Sequence, residues 1–219
     1  MRVTPPKVPP LDVSNPLRSI APTVDADVLL VLVRAHIPLT GARVAELAGR
    51  SHSQVRAVLQ RLVDDGLVDA EQHGQAVSYR WNREHVLTSA VGSIAEAADR
   101  AEQRLVDAVT DWMPGPHALV AFGSFARRDG GTDSDVDLLL VRPDEVDDED
   151  EGWARQRHAL AAGAERWTGN RTQILELSIA ELATAIDQDE ELIGALRAHA
   201  RVLVGPPLRQ LFGSDGGAR

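Results

Sequence analysis

The chain has 219 residues, 43% of them hydrophobic and 26% charged, a balance that suits a folded soluble protein with room for two small domains. It contains no cysteine, which excludes disulfides and thiolate metal sites, and no run of about 18 apolar residues that would span a membrane. The net charge of −10 argues against wrapping nucleic acid with the whole surface.

That charge is unevenly spread. Asp25 to His85 holds seven arginines against eight acids, whereas Val86 onward holds thirteen basic residues against twenty-four acidic ones. Any contact with nucleic acid therefore belongs in the first half. Met1 to Val24 carries six prolines and lacks the apolar centre of a secretory signal, so a cytoplasmic protein with no membrane partner is expected.

In chain order, residues 1–24 read as a flexible proline-rich arm. Residues 25–83 follow as a first domain. Val28, Leu29, Leu32 and Val33 form a helical stripe, and Thr40 caps a second helix that carries Val44, Leu47 and Ala48 and stops near Gly49. Ser51 and Ser53 are both candidate caps for a third helix, with Val55, Val58, Leu59, Leu62 and Val63 facing inward and Gly66 at its end. Two short β segments, 67–70 and 76–81, flank the turn-like Gln72-His73-Gly74-Gln75.

Residues 84–113 are predicted as a connecting helix, stopped by Pro114-Gly115-Pro116. A second domain, 114–212, then opens on the apolar strand 117–122. A glycine-bearing turn and a strand over 135–141 follow. The acid-rich 144–151 reads as a solvated loop, 153–167 as a helix, 172–177 as a third strand, and 179–212 as two short helices. Residues 213–219 are expected to be a disordered tail.

The informative stretch runs from Gly123 to Asp137. Gly123 lets the backbone approach a ligand closely, and Ser124 offers a hydroxyl and an N–H to phosphate at the start of a helix. Asp135 and Asp137 lie two apart on a strand, so both carboxylates point to one face, roughly 7 Å apart at Cα. Such a pair can share two magnesium ions held about 3.5–4 Å apart. A third acidic ligand is expected from a neighbouring strand, and Glu176 is the acid within the third apolar strand.

Gly123-Ser124-Phe125-Ala126-Arg127-Arg128-Asp129, then Ser134-Asp135-Val136-Asp137-Leu138, resembles the signature of minimal nucleotidyltransferases of the DNA polymerase β superfamily. Arg128 departs from it, standing in a glycine's place and adding charge near the phosphates. The resemblance implies a mixed sheet with flanking helices, two Mg2+ ions, and ATP or another nucleoside triphosphate as donor. It implies Gly123, Ser124, Arg127 and Ser134 as nucleotide-binding residues and Asp135, Asp137 and Glu176 as catalytic and metal-binding ones. Relatives include antitoxins that modify partner toxins and enzymes that modify antibiotics, so AMP transfer from ATP to a hydroxyl of a protein acceptor, such as a toxin, or of a small molecule is the expected reaction.

Three helices followed by a hairpin resemble a winged helix-turn-helix. That resemblance implies DNA binding through the exposed face of the third helix, Ser53, Gln54, Arg56, Gln60 and Arg61 with His52, and through a wing tip at Gln72, His73 and Gln75. A homodimer would enlarge its modest footprint, and protein contacts are the alternative use of the domain. The expected fold class is α+β, a winged helix-turn-helix of three helices plus a β-hairpin followed by the nucleotidyltransferase fold. The competing function is a transcriptional regulator that uses the nucleotidyltransferase fold as a catalytically weak nucleotide sensor. Trp81, Trp112, Trp153 and Trp167 read as packing anchors, and Arg80-x4-His85 as chance spacing.

Overall fold

A computed structural model describes residues 9–188 and 190–212, so the first eight residues of the expected arm and the expected tail lie outside the described residues. The chain divides into two compact units, one formed by Asn15–Ala98 and the other by the chain up to Ser14 together with Asp99 onward.

The Asn15–Ala98 unit begins with a 3-10 turn, Pro16–Ser19, followed by α1 (Val24–Arg34), β1 (Leu39–Thr40), α2 (Gly41–Ala48) and α3 (His52–Asp64). The hairpin β2 (Val68–His73) and β3 (Ala76–Trp81) and the helix α4 (Thr88–Ala95) complete it. Local chemistry sets these boundaries. Thr40 accepts the Arg43 N–H at 3.3 Å to start α2, and Gly49 ends it in the left-handed region at φ 62°. Of the two candidate serines, Ser51 caps α3, in a capping box with Gln54. The hairpin is longer than expected, with Gln72 and His73 inside β2, because Gly74 at φ 63° closes a tight turn. Its three strands run in the order β1-β3-β2, and Val28, Leu32, Val44, Val55, Leu59, Leu62 and Trp81 form the core.

One buried carboxylate ties this unit's start to its middle. Asp27 on α1 accepts from Asn15 Nδ2 at 3.0 Å, Arg18 Nε at 2.7 Å and Arg50 Nε at 2.6 Å. Arg50 lies between α2 and α3, so a charge that must be paired to be buried pins three segments together. This corrects the expectation of a flexible arm over 9–24. Leu17 and Val13 are buried, and Leu11 and Ser14 make backbone hydrogen bonds.

The expected connecting helix over 84–113 is also corrected. It is two helices, α4 and α5 (Ala97–Thr110), broken at Glu96 where ψ reaches 12°, and the chain leaves the first unit at Ala98.

The second unit contains β4 (Ala118–Phe122), α6 (Gly123–Arg127), β5 (Val136–Arg142), α7 (Glu151–Thr168) and β6 (Thr172–Ser178). After these come α8 (Ile179–Gln188), α9 (Glu190–His199), β7 (Arg201–Val204) and α10 (Leu208–Leu211). The sheet order is β6-β5-β4-β7, with β5–β6 parallel and the other pairs antiparallel, so the sheet is mixed. β7 occupies an edge where the sequence reads as helix; its four residues are too few to show an alternation of their own.

Alternation along β5 divides the sheet's faces. Leu139 and Val141 join Val120, Leu182, Ile193 and Leu196 in one core cluster, which places α8 and α9 on that face. Leu138 and Leu140 are buried on the other. Among the described residues no helix is long and apolar enough to cross a membrane.

Removing the Asp27 carboxylate leaves two arginines facing one another. Their side chains are 38% and 39% exposed, so water recovers part of the loss. Asp27→Ala should cost the Asn15–Ala98 unit roughly 2 kcal/mol, below the 3–5 kcal/mol typical of fully buried pairs, as read by urea denaturation.

Candidate functional site

The antiparallel register pairs Phe122 of β4 with Asp137 of β5, so the residue after Phe122 turns directly over the Asp137 carboxylate. That residue is Gly123, at φ 64°, and a Cβ there would lie 2.5 Å from Asp137 Oδ2. No other residue type fits on either count. α6 follows at once, with Phe125 and Ala126 buried beneath it and Ser124 and Arg127 at the site. Gly130 is a second close approach, since a Cβ would meet Ser124 Oγ and Ser134 Cβ at 3.0 Å. Gly130 thus sets the spacing between two expected nucleotide-binding serines. Sequence reading overlooked it because the signature leaves that position open.

Asp135 and Asp137 stand at the mouth of β5, with Arg127 near enough to act on Asp137. Burial raises the Asp137 carboxyl above the usual aspartate range, the neighbouring Asp135 charge raises it further, and Arg127 opposes both. Arg127 itself is paired with Asp129 at 2.9 Å.

The third ligand is where the expectation fails. In the parallel register Asp137 faces Gln173 and Leu140 faces Glu176, so Gln173 shares the face of Asp135 and Asp137 while Glu176 points to the opposite one. There the Glu176 carboxylate accepts from Arg142 Nε at 3.1 Å, from Trp153 Nε1 at 2.7 Å and from Arg157. Glu176 therefore anchors α7, its largely enclosed carboxylate paired on the face away from Asp135 and Asp137. Gln173 occupies the expected third place and donates its amide to the Asp135 carboxylate. Among the described residues, no group of three His, Cys, Asp or Glu gathers as a metal site. Asp135 and Asp137 offer the carboxylate oxygens that suit a hard divalent cation.

The Arg128 charge is paired within the protein. The residue caps α6 in the left-handed conformation and reaches Asp99 at 2.6 Å and Glu102 at 2.9 Å on α5. The acid-rich 144–151 is more than solvated loop: Asp150 caps α7 through the Trp153 N–H at 2.7 Å, and Asp144 accepts the Ala180 N–H at 3.0 Å.

Residues 23–82 match the family model of the sugar-specific transcriptional regulator TrmB, and residues 103–192 match that of the nucleotidyltransferase domain. The chain joins a winged helix to a nucleotidyltransferase domain. No curated protein matches it. Two solved structures are similar in part. One is an archaeal chromatin protein, TrmBL2, at 18% identity, a TM-score of 0.27 and coverage of 80% of this chain and 72% of that one. The other is human N-acetylserotonin methyltransferase, at 24% identity and a TM-score of 0.27, where the match spans 45% of this chain and 31% of the methyltransferase.

On the winged helix, His52, Ser53, Gln54, Arg56, Gln60 and Arg61 are all exposed on α3. His52, Ser53, Arg56 and Gln60 line one open groove with Ala76, Val77 and Tyr79 of the wing. Three of the expected DNA contacts are engaged within the domain. Arg61 is paired with Asp25 of α1, and Gln54 Oε1 accepts from the Ser51 backbone N–H at 3.4 Å, closing the capping box, and from the Ser51 hydroxyl at 2.8 Å. Gln60 donates to Asp64 at 3.0 Å.

The Asp137 shift has a testable sign. A carboxyl whose pKa is raised on folding favours the folded state when protonated, and that stability is lost as pH rises through the raised value. Metal-free Asp137→Asn should thus be more stable than wild type at neutral pH, with the difference vanishing below the usual aspartate range; thermal melts across pH would check it. Gly123→Ala should fold less stably and lose nucleotide binding, because its Cβ displaces the Asp137 carboxylate; calorimetry with ATP and magnesium reads the loss.

Proposed function

We propose that this protein is a DNA-binding regulator whose nucleotidyltransferase domain binds a nucleoside triphosphate as an effector, with transfer chemistry slow or absent. The observation that carries this reading is Gln173, a neutral amide on the face where a third carboxylate is expected. Gly123 and Ser124 would hold the phosphates by backbone N–H and hydroxyl, with Arg127 and Ser134 beside them. Asp135 and Asp137 would hold one divalent cation, which when bound neutralises triphosphate charge. The raised Asp137 pKa supports this role, because an acid poorly paired by its own protein is ready for an external cation.

DNA would be read by Ser53 and Arg56 together with His52, since Gln54, Gln60 and Arg61 are committed within the domain. The near-neutral charge of this half implies few phosphate contacts and a shallow salt dependence, with a homodimer supplying a second half-site. Such a protein acts in the cytoplasm, where both ligands are found.

The second reading is a transferase that moves AMP from ATP to a hydroxyl of a toxin-like protein or of a small molecule. It is favoured by the aspartate pair and by the close approach of Gly123 to Asp137. Incubation with labelled ATP and magnesium separates the two. The regulator reading expects binding without measurable transfer in wild type, and a gain of transfer in Gln173→Asp. Wild-type labelling of itself or a partner at about 1 s⁻¹ or faster, ordinary for an enzyme, would sink it. DNA affinity that shows no salt dependence at low ionic strength would remove the DNA-binding half of the proposal.

A further inference from the structure

The turn that follows α6 is gripped from outside its own motif at both ends. Arg128 is the non-glycine residue with positive φ, 63°, among the described residues. That conformation costs a side chain roughly 1–2 kcal/mol. Two ion pairs hold it there, to Asp99 at 2.6 Å and to Glu102 at 2.9 Å. Glu102 is itself one-tenth exposed and meets Arg201 at 3.1 Å. At the other end of the turn, the Gly130 carbonyl accepts the Ser14 N–H at 3.0 Å. Buried Asn170 secures the same loop further on, donating to the Ser134 carbonyl at 2.9 Å while exchanging hydrogen bonds with both backbone groups of Leu11, at 3.0 and 3.2 Å.

The two gripping residues are not arbitrary. Ser14 and Asp99 are the points at which the chain leaves and re-enters the nucleotidyltransferase domain; Asn15 and Ala98 belong to the winged helix. One peptide bond separates Ser14, held by the turn, from Asn15, whose amide donates to the Asp27 hub at 3.0 Å. At the second crossing α5 runs without a break from Ala97 to Thr110. The turn is also joined to the nucleotide site, since the Ser124 carbonyl accepts the Asp129 N–H at 3.2 Å and Ser124 Oγ lies against Gly130.

We propose that the turn Arg128–Gly130 is the relay through which a nucleoside triphosphate at Gly123–Ser124 changes the DNA affinity of the winged helix. The inference rests on the effector reading above. A phosphate seated at Ser124 bears on a strained turn, and that turn holds both covalent crossings between the domains. A ligand shifts such an arrangement by as much as its affinity differs between the turn's two states. The relay also accounts for arginine in a glycine's place, because glycine would satisfy the backbone but could not hold α5.

Anisotropy of a labelled DNA duplex at low ionic strength, with and without ATP and magnesium, tests the relay. ATP binding is measured separately by calorimetry. Wild type should change its DNA affinity five- to 150-fold on adding the nucleotide. Arg128→Gly keeps the left-handed turn and removes both ion pairs; it should bind ATP as wild type does and lose the DNA response. Asp99→Asn, at an exposed position, should reduce the response, and it carries the test if Arg128→Gly does not fold. A full response in either variant overturns the relay. Wild type that binds ATP and DNA independently also overturns it while leaving the nucleotide-binding reading intact. Wild type that binds no ATP overturns both.

Discussion

The register of β4 against β5 is the constraint on which the rest of the nucleotidyltransferase domain depends. With Phe122 opposite Asp137, the chain must turn immediately above a carboxylate, and only a residue without a side chain and free to take φ 64° can do so. Slipping the pairing by one residue would move Asp137 to the other face and bury its charge behind the sheet. Ser124, Arg127 and Gly130 all take their places from that turn. The close approach is a packing fact with a chemical result, since it brings backbone N–H groups and two carboxylates to one spot.

Three enclosed acids elsewhere among the described residues are treated alike. Asp27, Glu102 and Glu176 each sit where segments distant in sequence meet, and each is answered by two arginines. A chain with a single lysine and 22 arginines makes these hubs from guanidinium, whose planar fork satisfies a carboxylate while losing little freedom. Asp137 is the exception. It has burial and a like-charged neighbour, and Arg127, its nearest counter-charge, is engaged with Asp129. In the proposed reading, this acid left short of partners is where an external cation would be held.

In the proposed reading, gripping a nucleotide and transforming it are separable demands. Two carboxylates and a glycine turn suffice to hold a triphosphate with one cation. A third carboxylate is needed where a second cation must activate an attacking oxygen. Gln173 meets the first demand, because its amide satisfies Asp135, and fails the second.

Local chemistry made much of this protein legible in its sequence. Capping serine and threonine, the Gly74 turn and the 3.6-residue stripes marked out the winged helix. Glycine-serine upstream of two aspartates two apart marked out the site, because both signals arise within a few residues of chain. Other features were decided between segments far apart. Whether Gln173 or Glu176 joins the aspartates depends on the register of β6 against β5, more than thirty residues away, and alternation then puts the two on opposite faces. Where Arg128 points depends on α5 lying within reach with two acids. The arm upstream of the winged helix looked unstructured by its prolines, yet Leu11 to Ser14 is held by carbonyls and an asparagine that only folding brings near. The sequence by itself marked out most of the elements and the stretch from Gly123 to Asp137 that carries the candidate site. The tertiary structure decided which side chains complete the site, because strand register and the pairing of buried charge are settled by contacts that no stretch of sequence contains.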